Sequence, residues 1–365
     1  MFRAMCVEPN YRNTAYPWGT GNFTTGCEVI GSTAVPMASM ALDVSVLNAD
    51  GSIVSTFPRE VLSDADSFYY FEYDASSLAA GTYTLRARLY YTPNGAMLDS
   101  DDITVTKAAS DIAVPTVYID SENRWVVDGA LYFPRGFWGG PWSDAELQRI
   151  ADNGWNCFMN YNWTRGTDGH NTYVTWLDDL VTKGLKVLFY FGSLFAGGEY
   201  ADYTWSGAGP PSWSHVGGQA IIDSFVAEWG SHAGVLGYLM QEEKGETHLA
   251  AISSQYDNLK AAPYAANKPV LGIQAEMQAL VRFAPYSDVV GIDNYVVWFG
   301  HKVGPSPSPY LHQMGSNTAA LFGDVQSSRS LMIAPECRSF SELTPGAAPP
   351  TYAEMMNLAF QALIN

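Results

Sequence analysis

From about residue 130 onward the chain alternates between two hydrophobic periods, and this alternation limits its fold more than any other feature. Short apolar runs recur at 130–137, 155–163, 185–191, 235–243, 270–275, 289–297 and 331–336. Between the early runs, apolar residues fall three and four apart: Leu147, Ile150 and Ala151, then Trp176, Leu177, Leu180 and Val181, then Ile222, Phe225, Val226 and Trp229. Ser143 and Glu146 form a capping box that starts the first helix, and Gly154 stops it. A further capping box, Thr351 and Glu354, starts the last. Seven strand–helix units in series predict a parallel sheet with helices outside it. At this repeat length the expected fold is a (β/α)8 TIM-type barrel. A doubly wound dinucleotide fold is disfavoured, because no Gly-x-Gly-x-x-Gly follows the first strand. Seven strands are one short of closure. The expectation is a barrel truncated after its seventh unit, or one whose gap another segment fills.

The first 108 residues read differently. Tyr83, Leu85, Ala87, Leu89 and Tyr91 alternate at period two, and Asn48-Ala-Asp-Gly51 supplies turn chemistry between two strand-like runs. Short strands with frequent turns predict an immunoglobulin-like β-sandwich with an accessory role. Residues 109–117 read as a linker and 118–365 as the barrel. Asp128-Gly129 is a hairpin turn at the barrel's start.

Composition narrows the function. The formal net charge, 19 − 37 = −18, disfavours nucleic acid and anionic membrane as partners. No apolar run is long enough to span a bilayer. The N-terminus shows no long apolar leader segment, so the chain is expected either to be cytoplasmic or to be secreted or periplasmic with its leader not visible. The sequence does not speak to oligomeric state. Cys6 and Cys27 are close enough in sequence to pair, but four buried free thiols are the simpler reading, since no metal-ligand spacing appears. The six histidines form neither His-x-His nor His-Glu-x-x-His, so neither a metal nor another cofactor is expected. A Gly-x-Ser-x-Gly elbow is also lacking.

Loop lengths locate the chemistry. Helix-to-strand connections are short, as at Asn153-Gly154 and Lys183-Gly184, whereas strand-to-helix connections are long, at 192–218, 298–316 and 337–350. In such barrels the strand-to-helix loops build the active site. Acids gather at those strand ends: Glu242 and Glu243 on the fourth, Glu276 on the fifth, Asp293 on the sixth and Glu336 on the seventh. A carboxylate left dry and unpaired at such a place costs several kcal/mol, which points to a chemical task. Strands four and seven lie across the barrel mouth from one another. Carboxyl groups reaching inward from both can stand about 5–5.5 Å apart, the separation for glycoside hydrolysis with retention.

The second part of the chain resembles the (β/α)8 retaining glycoside hydrolases of clan A. The segments that carry the resemblance are Trp125-Val-Val-Asp-Gly-Ala-Leu-Tyr-Phe-Pro-Arg-Gly-Phe137, Gly237-Tyr-Leu-Met-Gln-Glu-Glu243, Asp293-Asn-Tyr295 and Ile333-Ala-Pro-Glu336. It covers about residues 118–365. The resemblance implies that Glu336 is the nucleophile, that Glu243 is the acid/base and that Tyr295 contacts the nucleophile. The clan's usual Asn before the acid/base is here Glu242, and Lys244 follows. A slip of one residue would make Gln241-Glu242 the matching pair. Strand alternation counted from Gly237 favours Glu243, and the choice between the two glutamates stays open. Candidate substrate contacts are Glu242, Asp293, Arg135, Asn160, Trp298 and Trp205. The last lies in a loop rich in tyrosine and tryptophan that suits a wall of sugar subsites. A poly- or oligosaccharide is the expected substrate. Two rivals stand beside this reading: a non-catalytic carbohydrate binder on a degenerate barrel, and a different barrel enzyme using Glu276 or Asp293.

Overall fold

The structure is a computed structural model. It describes residues 2–8, 14–15, 21–29, 35–64, 66–139, 143–160, 170–192, 194, 204–205, 215–216, 218–261, 268–275, 282–294, 313–325, 328–335 and 354. The chain divides into two compact units. The first comprises Met1–Val114, Ile119–Arg124 and Gln326–Arg329; the second comprises Pro115–Tyr118, Trp125–Val325 and Ser330–Asn365.

The first unit is a sandwich of two sheets. One sheet pairs Phe2–Glu8, Asn22–Val29 and Phe68–Asp74 in antiparallel fashion. The other is built on the long hairpin of Gly81–Tyr91 and Ala96–Lys107, with Met40–Asn48 alongside. Period two explains the packing. Leu85, Ala87 and Leu89 turn inward with Leu42, Val44 and Val46, and meet Ala4, Cys6, Cys27 and Phe71 of the facing sheet. Cys6 and Cys27 are both buried there, and neither is in a disulfide. Cys157 is also free and buried, and Cys337 lies outside the described residues.

The second unit holds a parallel sheet of seven strands. They are β1 (Gly136–Gly139), β2 (Cys157–Asn160), β3 (Lys186–Tyr190), β4 (Val235–Glu242), β5 (Val270–Gln274), β6 (Val289–Asn294) and β7 (Ser330–Pro335), hydrogen-bonded in chain order. The described helices between them are α1 (Asp144–Asp152), α2 (His170–Thr182), α3 (Gly218–Trp229), α4 (Leu249–Ala261) and α5 (Gln313–Val325). The capping box at α1 is formed in full: Ser143 accepts from the Glu146 backbone, and Glu146 accepts from that of Ser143. Of the helix expected near residues 351–354, only Glu354 lies within the described residues, and it is buried.

The first strand begins later than the sequence pattern suggests. The hairpin expected at Asp128-Gly129 forms, Trp125–Val127 with Ala130–Tyr132, but residues 130–137 are not one strand: the chain enters the parallel sheet only at Gly136. Pro134 lies in the break; without an N–H it cannot serve the interior of a ladder. Asp128 and Gly129 both adopt positive φ, 51° and 77°, as a tight two-residue turn requires.

Helices cover one face of the sheet. Phe189 of β3 meets Trp176 of α2 and Phe225 of α3 at ring-centroid distances of 6.3 Å and 4.1 Å. Val290 and Ile292 of β6 pack with Leu321 and Val325 of α5 on the same face. The alternate residues Leu188, Leu239, Leu271, Ile273 and Val289 face the other way and are buried as well. A sheet that buries its second face without a second layer of described helices must curl around it, and the strands are accordingly apolar almost throughout.

Candidate active site

Register decides which side chains share the inner, curled face. Leu188 pairs with Gly237, and a Cβ on Gly237 would touch Leu188 and Leu271, which sets Gly237 and Leu271 on that face. Leu239 pairs with Leu271, but Gln241, not Met240, pairs with Gly272. Met240 is thus an extra residue, a β-bulge in β4. The pairing resumes with Glu242 opposite Ile273, and Ile273 lies opposite Gly291 of β6. Two residues beyond Gly291, Asp293 pairs with Ala334 of β7. Glu242 and Asp293 therefore occupy one face at the carboxyl ends of their strands. Glu242 is 9% exposed and Asp293 3%.

Strict alternation from Gly237 puts Glu243 inward. The structure puts Glu242 there, because the bulge adds one residue to the count. Glu243 leaves the strand with φ 48°, is exposed, and donates its N–H to the Ile273 carbonyl at 2.9 Å. A positive φ is uncommon for a residue with a side chain, and the turn holds it there.

Below this end, on the helix-facing side, three polar groups interlock. Gln274 donates from Nε2 to Gln241 Oε1 at 3.0 Å and to the Lys244 carbonyl at 3.1 Å. The Gln241 amide lies across Gly272, where a Cβ would approach its Nε2 to 2.7 Å. Sequence reading had named Gln241 only as a possible partner of Glu242 in a one-residue slip, and it missed Gln274. It also missed Tyr190, which ends β3 on the inner face and is buried. The period-two step from Leu188 was the available signal for Tyr190.

The remaining candidates fall as follows. Asn160 ends β2 opposite Gly139 and Phe189, at the same end of the sheet as Glu242. Trp205 sits in a two-residue strand opposite His215, within the β3–α3 connection. Arg135 immediately precedes β1, at the opposite end of the sheet from Glu242 and Asp293. It is exposed, and its backbone N–H donates to Asn156 Oδ1 at 2.7 Å. Glu276, Tyr295, Trp298 and Glu336 lie outside the described residues. β7 ends at Pro335, the residue before Glu336. Among the described residues no group of His, Cys, Asp and Glu is arranged to hold a metal ion.

No family model matches the chain, and no curated protein does. Among solved structures, it is similar to a β-D-glucuronidase from Dictyoglomus thermophilum, with 11% identity, 94% of this chain and 57% of that one covered, and a TM-score of 0.46. A β-glucuronidase from Ruminococcus gnavus overlaps with the same identity, coverage and TM-score. A putative β-galactosidase from Bacteroides fragilis overlaps at 13% identity over 93% of this chain and 49% of that one, with a TM-score of 0.42. The chain spans about half the length of these structures.

Proposed function

We propose that the second unit is a (β/α)8-type glycosidase that cleaves an O-glycosidic bond with retention, using Glu242 as acid/base and Glu336 as nucleophile. The observation that carries the reading is the bulge at Met240. It turns one buried carboxylate, Glu242, onto the inner face that also bears Asp293, at the carboxyl ends of parallel strands. That end is where enzymes of this architecture work. The nucleophile's place follows from sequence, at the end of β7.

In the proposed reaction the Glu336 carboxylate attacks the anomeric carbon while Glu242 protonates the departing oxygen. Water then attacks the glycosyl ester as Glu242 takes its proton, which restores both groups. Asp293 and Tyr190, which share that face, would meet sugar hydroxyls. The substrate class is a poly- or oligosaccharide, and the first unit is an accessory domain.

The test is a screen of chromogenic aryl glycosides, followed by proton NMR of the first product anomer. Glu242→Gln should lower kcat/KM on glycosides with poor leaving groups by about 10²–10⁴-fold. Added azide should restore turnover of activated substrates by replacing water, which no longer has a base. Glu243→Gln should stay within about threefold of the parent. Azide rescue of Glu243→Gln in place of Glu242→Gln would reverse the assignment. Tight glycan binding without turnover by the parent protein would replace the enzyme with a carbohydrate-binding protein.

A further inference from the structure

We infer that Gln274, acting through Gln241 and the Lys244 carbonyl, is a positioning residue that sets the direction of Glu242. The inference rests on the proposed role of Glu242. A bulge makes a strand end ambiguous, since the residues after it can rejoin the ladder on either face. In β4 the ambiguity is removed by one side chain. Gln274 Nε2 has two protons, and it gives one to Gln241 Oε1 and one to the Lys244 carbonyl. These acceptors flank Glu242 and Glu243 in sequence. Pinning both ends of the four-residue stretch leaves Glu242 one orientation, opposite Ile273, and forces the backbone reversal into Glu243, whose φ is 48°.

The seat for this clamp is built into the neighbouring strand. Gly272 lies beneath the Gln241 amide, and a Cβ there would come within 2.7 Å of its Nε2, so the amide would have to shift. Gln241 and Gln274 are 1% and 3% exposed, so water cannot stand in for a lost partner. A glutamine is well suited because it supplies two donors from one nitrogen and has no charge to compete with the carboxylate it positions.

Two variants test the clamp from opposite sides. Gln274→Leu removes both donors at similar volume, and Gly272→Ala displaces the Gln241 amide while leaving Gln274 intact. A misdirected general acid harms only reactions that need protonation of the leaving group. Each variant should therefore lose about tenfold or more in kcat/KM on a methyl or phenyl glycoside of the sugar that the parent cleaves, and less than about threefold on the dinitrophenyl glycoside of that sugar. Equal losses on both substrates, or none on either, overturn the inference. A second readout needs no turnover. With 13C-labelled glutamate, the Glu242 carboxyl titration should change in both variants relative to the parent, and exchange of the Glu243 amide proton should speed up. If the parent cleaves no glycoside, the proposed function fails while the titration still judges the clamp, and an unchanged Glu242 titration in folded variants sinks it.

Discussion

Asp101 is a carboxylate turned toward a hydrophobic core, and its consequences follow from that one side chain. It lies opposite Ala87, whose face is the inner one, and its Oδ2 accepts the backbone N–H of Ala4 from the facing sheet at 3.0 Å. Burial raises its pKa above the ordinary carboxylate value, more than the Ala4 hydrogen bond lowers it. The sign follows directly. Below the ordinary value, about 3.9, folded and unfolded chains are both protonated and no difference arises. As pH rises, the unfolded chain releases its proton first, so the group's contribution to stability falls until pH passes the raised folded value. Asp101→Asn keeps an acceptor for Ala4 without that loss. Its melting temperature should match or exceed the parent's above pH 6 and lose the advantage at pH 3–4. Asp101→Ala should cost about 1–3 kcal/mol in denaturant titrations, because it leaves a buried N–H unpaired. Cys27 and Cys157 obey the same rule at higher pH. Burial pushes both thiols up to about 12. Neither should react with a thiol reagent at pH 8 until denaturant is added, which mass spectrometry of the labelled peptides would show. The core residues among these were visible in the sequence as period-two partners. Asp101 was not, because an inward acid breaks the very pattern by which strands are read.

At the scale of elements, β4 is the instructive case. Its existence, direction and acidic end were legible from an apolar run that stops at two glutamates, yet the facing of those glutamates was not. A bulge has no residue signature here: Met240 is as apolar as its neighbours, and it is the partner strand's spacing that leaves it unpaired. The structure makes this testable by deletion. Without Met240, Leu239 and Gln241 still sit opposite Leu271 and Gly272, now on a regular ladder. The shortened protein should fold, lose about 2–5 kcal/mol with the buried side chain, and keep its dependence on Glu242. Strict alternation predicts instead that the dependence moves, from Glu243 in the parent to Glu242 in the shortened protein. Activity assays of the parent and of the deletion, each with and without Glu242→Gln, separate these outcomes. Helix α4 offers a simpler correction. Ile252, Gln255, Tyr256 and Leu259 form its buried stripe, and Gln255 Nε2 has no hydrogen-bond partner among the described residues. Gln255→Leu should stabilise the chain by about 1–3 kcal/mol, read as a higher denaturant midpoint at unchanged slope.

Across the whole molecule, what the sequence disclosed and what it withheld separate along a physical line. Local periods are written in consecutive residues, so the strand–helix repeat of the parallel sheet could be read one run at a time. Strand starts are less legible, as Pro134 shows: the apolar run continues through it, while its missing N–H ends the pairing. Contacts between distant residues, such as Gln274 with Lys244 or Asp101 with Ala4, leave no mark in either local stretch. Net charge is the one global quantity that the sequence gives outright, and it yields the last prediction. The formal charge of −18 lies on a chain whose described ion pairs are mostly at its surface. Such pairs contribute about 0–1 kcal/mol each and weaken in salt. Repulsion among surplus carboxylates acts over the whole surface and is screened by the same salt, over about 10 Å at 0.1 M. With eighteen uncompensated charges, relief of repulsion should outweigh loss of the pairs. Raising sodium chloride from about 10 mM to about 0.3 M should therefore raise the melting temperature by a few degrees at pH 7, and the gain should shrink at pH 5 as carboxylates begin to protonate. A melting temperature that falls with salt at pH 7 would mean that the surface pairs, and not the net charge, govern the electrostatics of this fold.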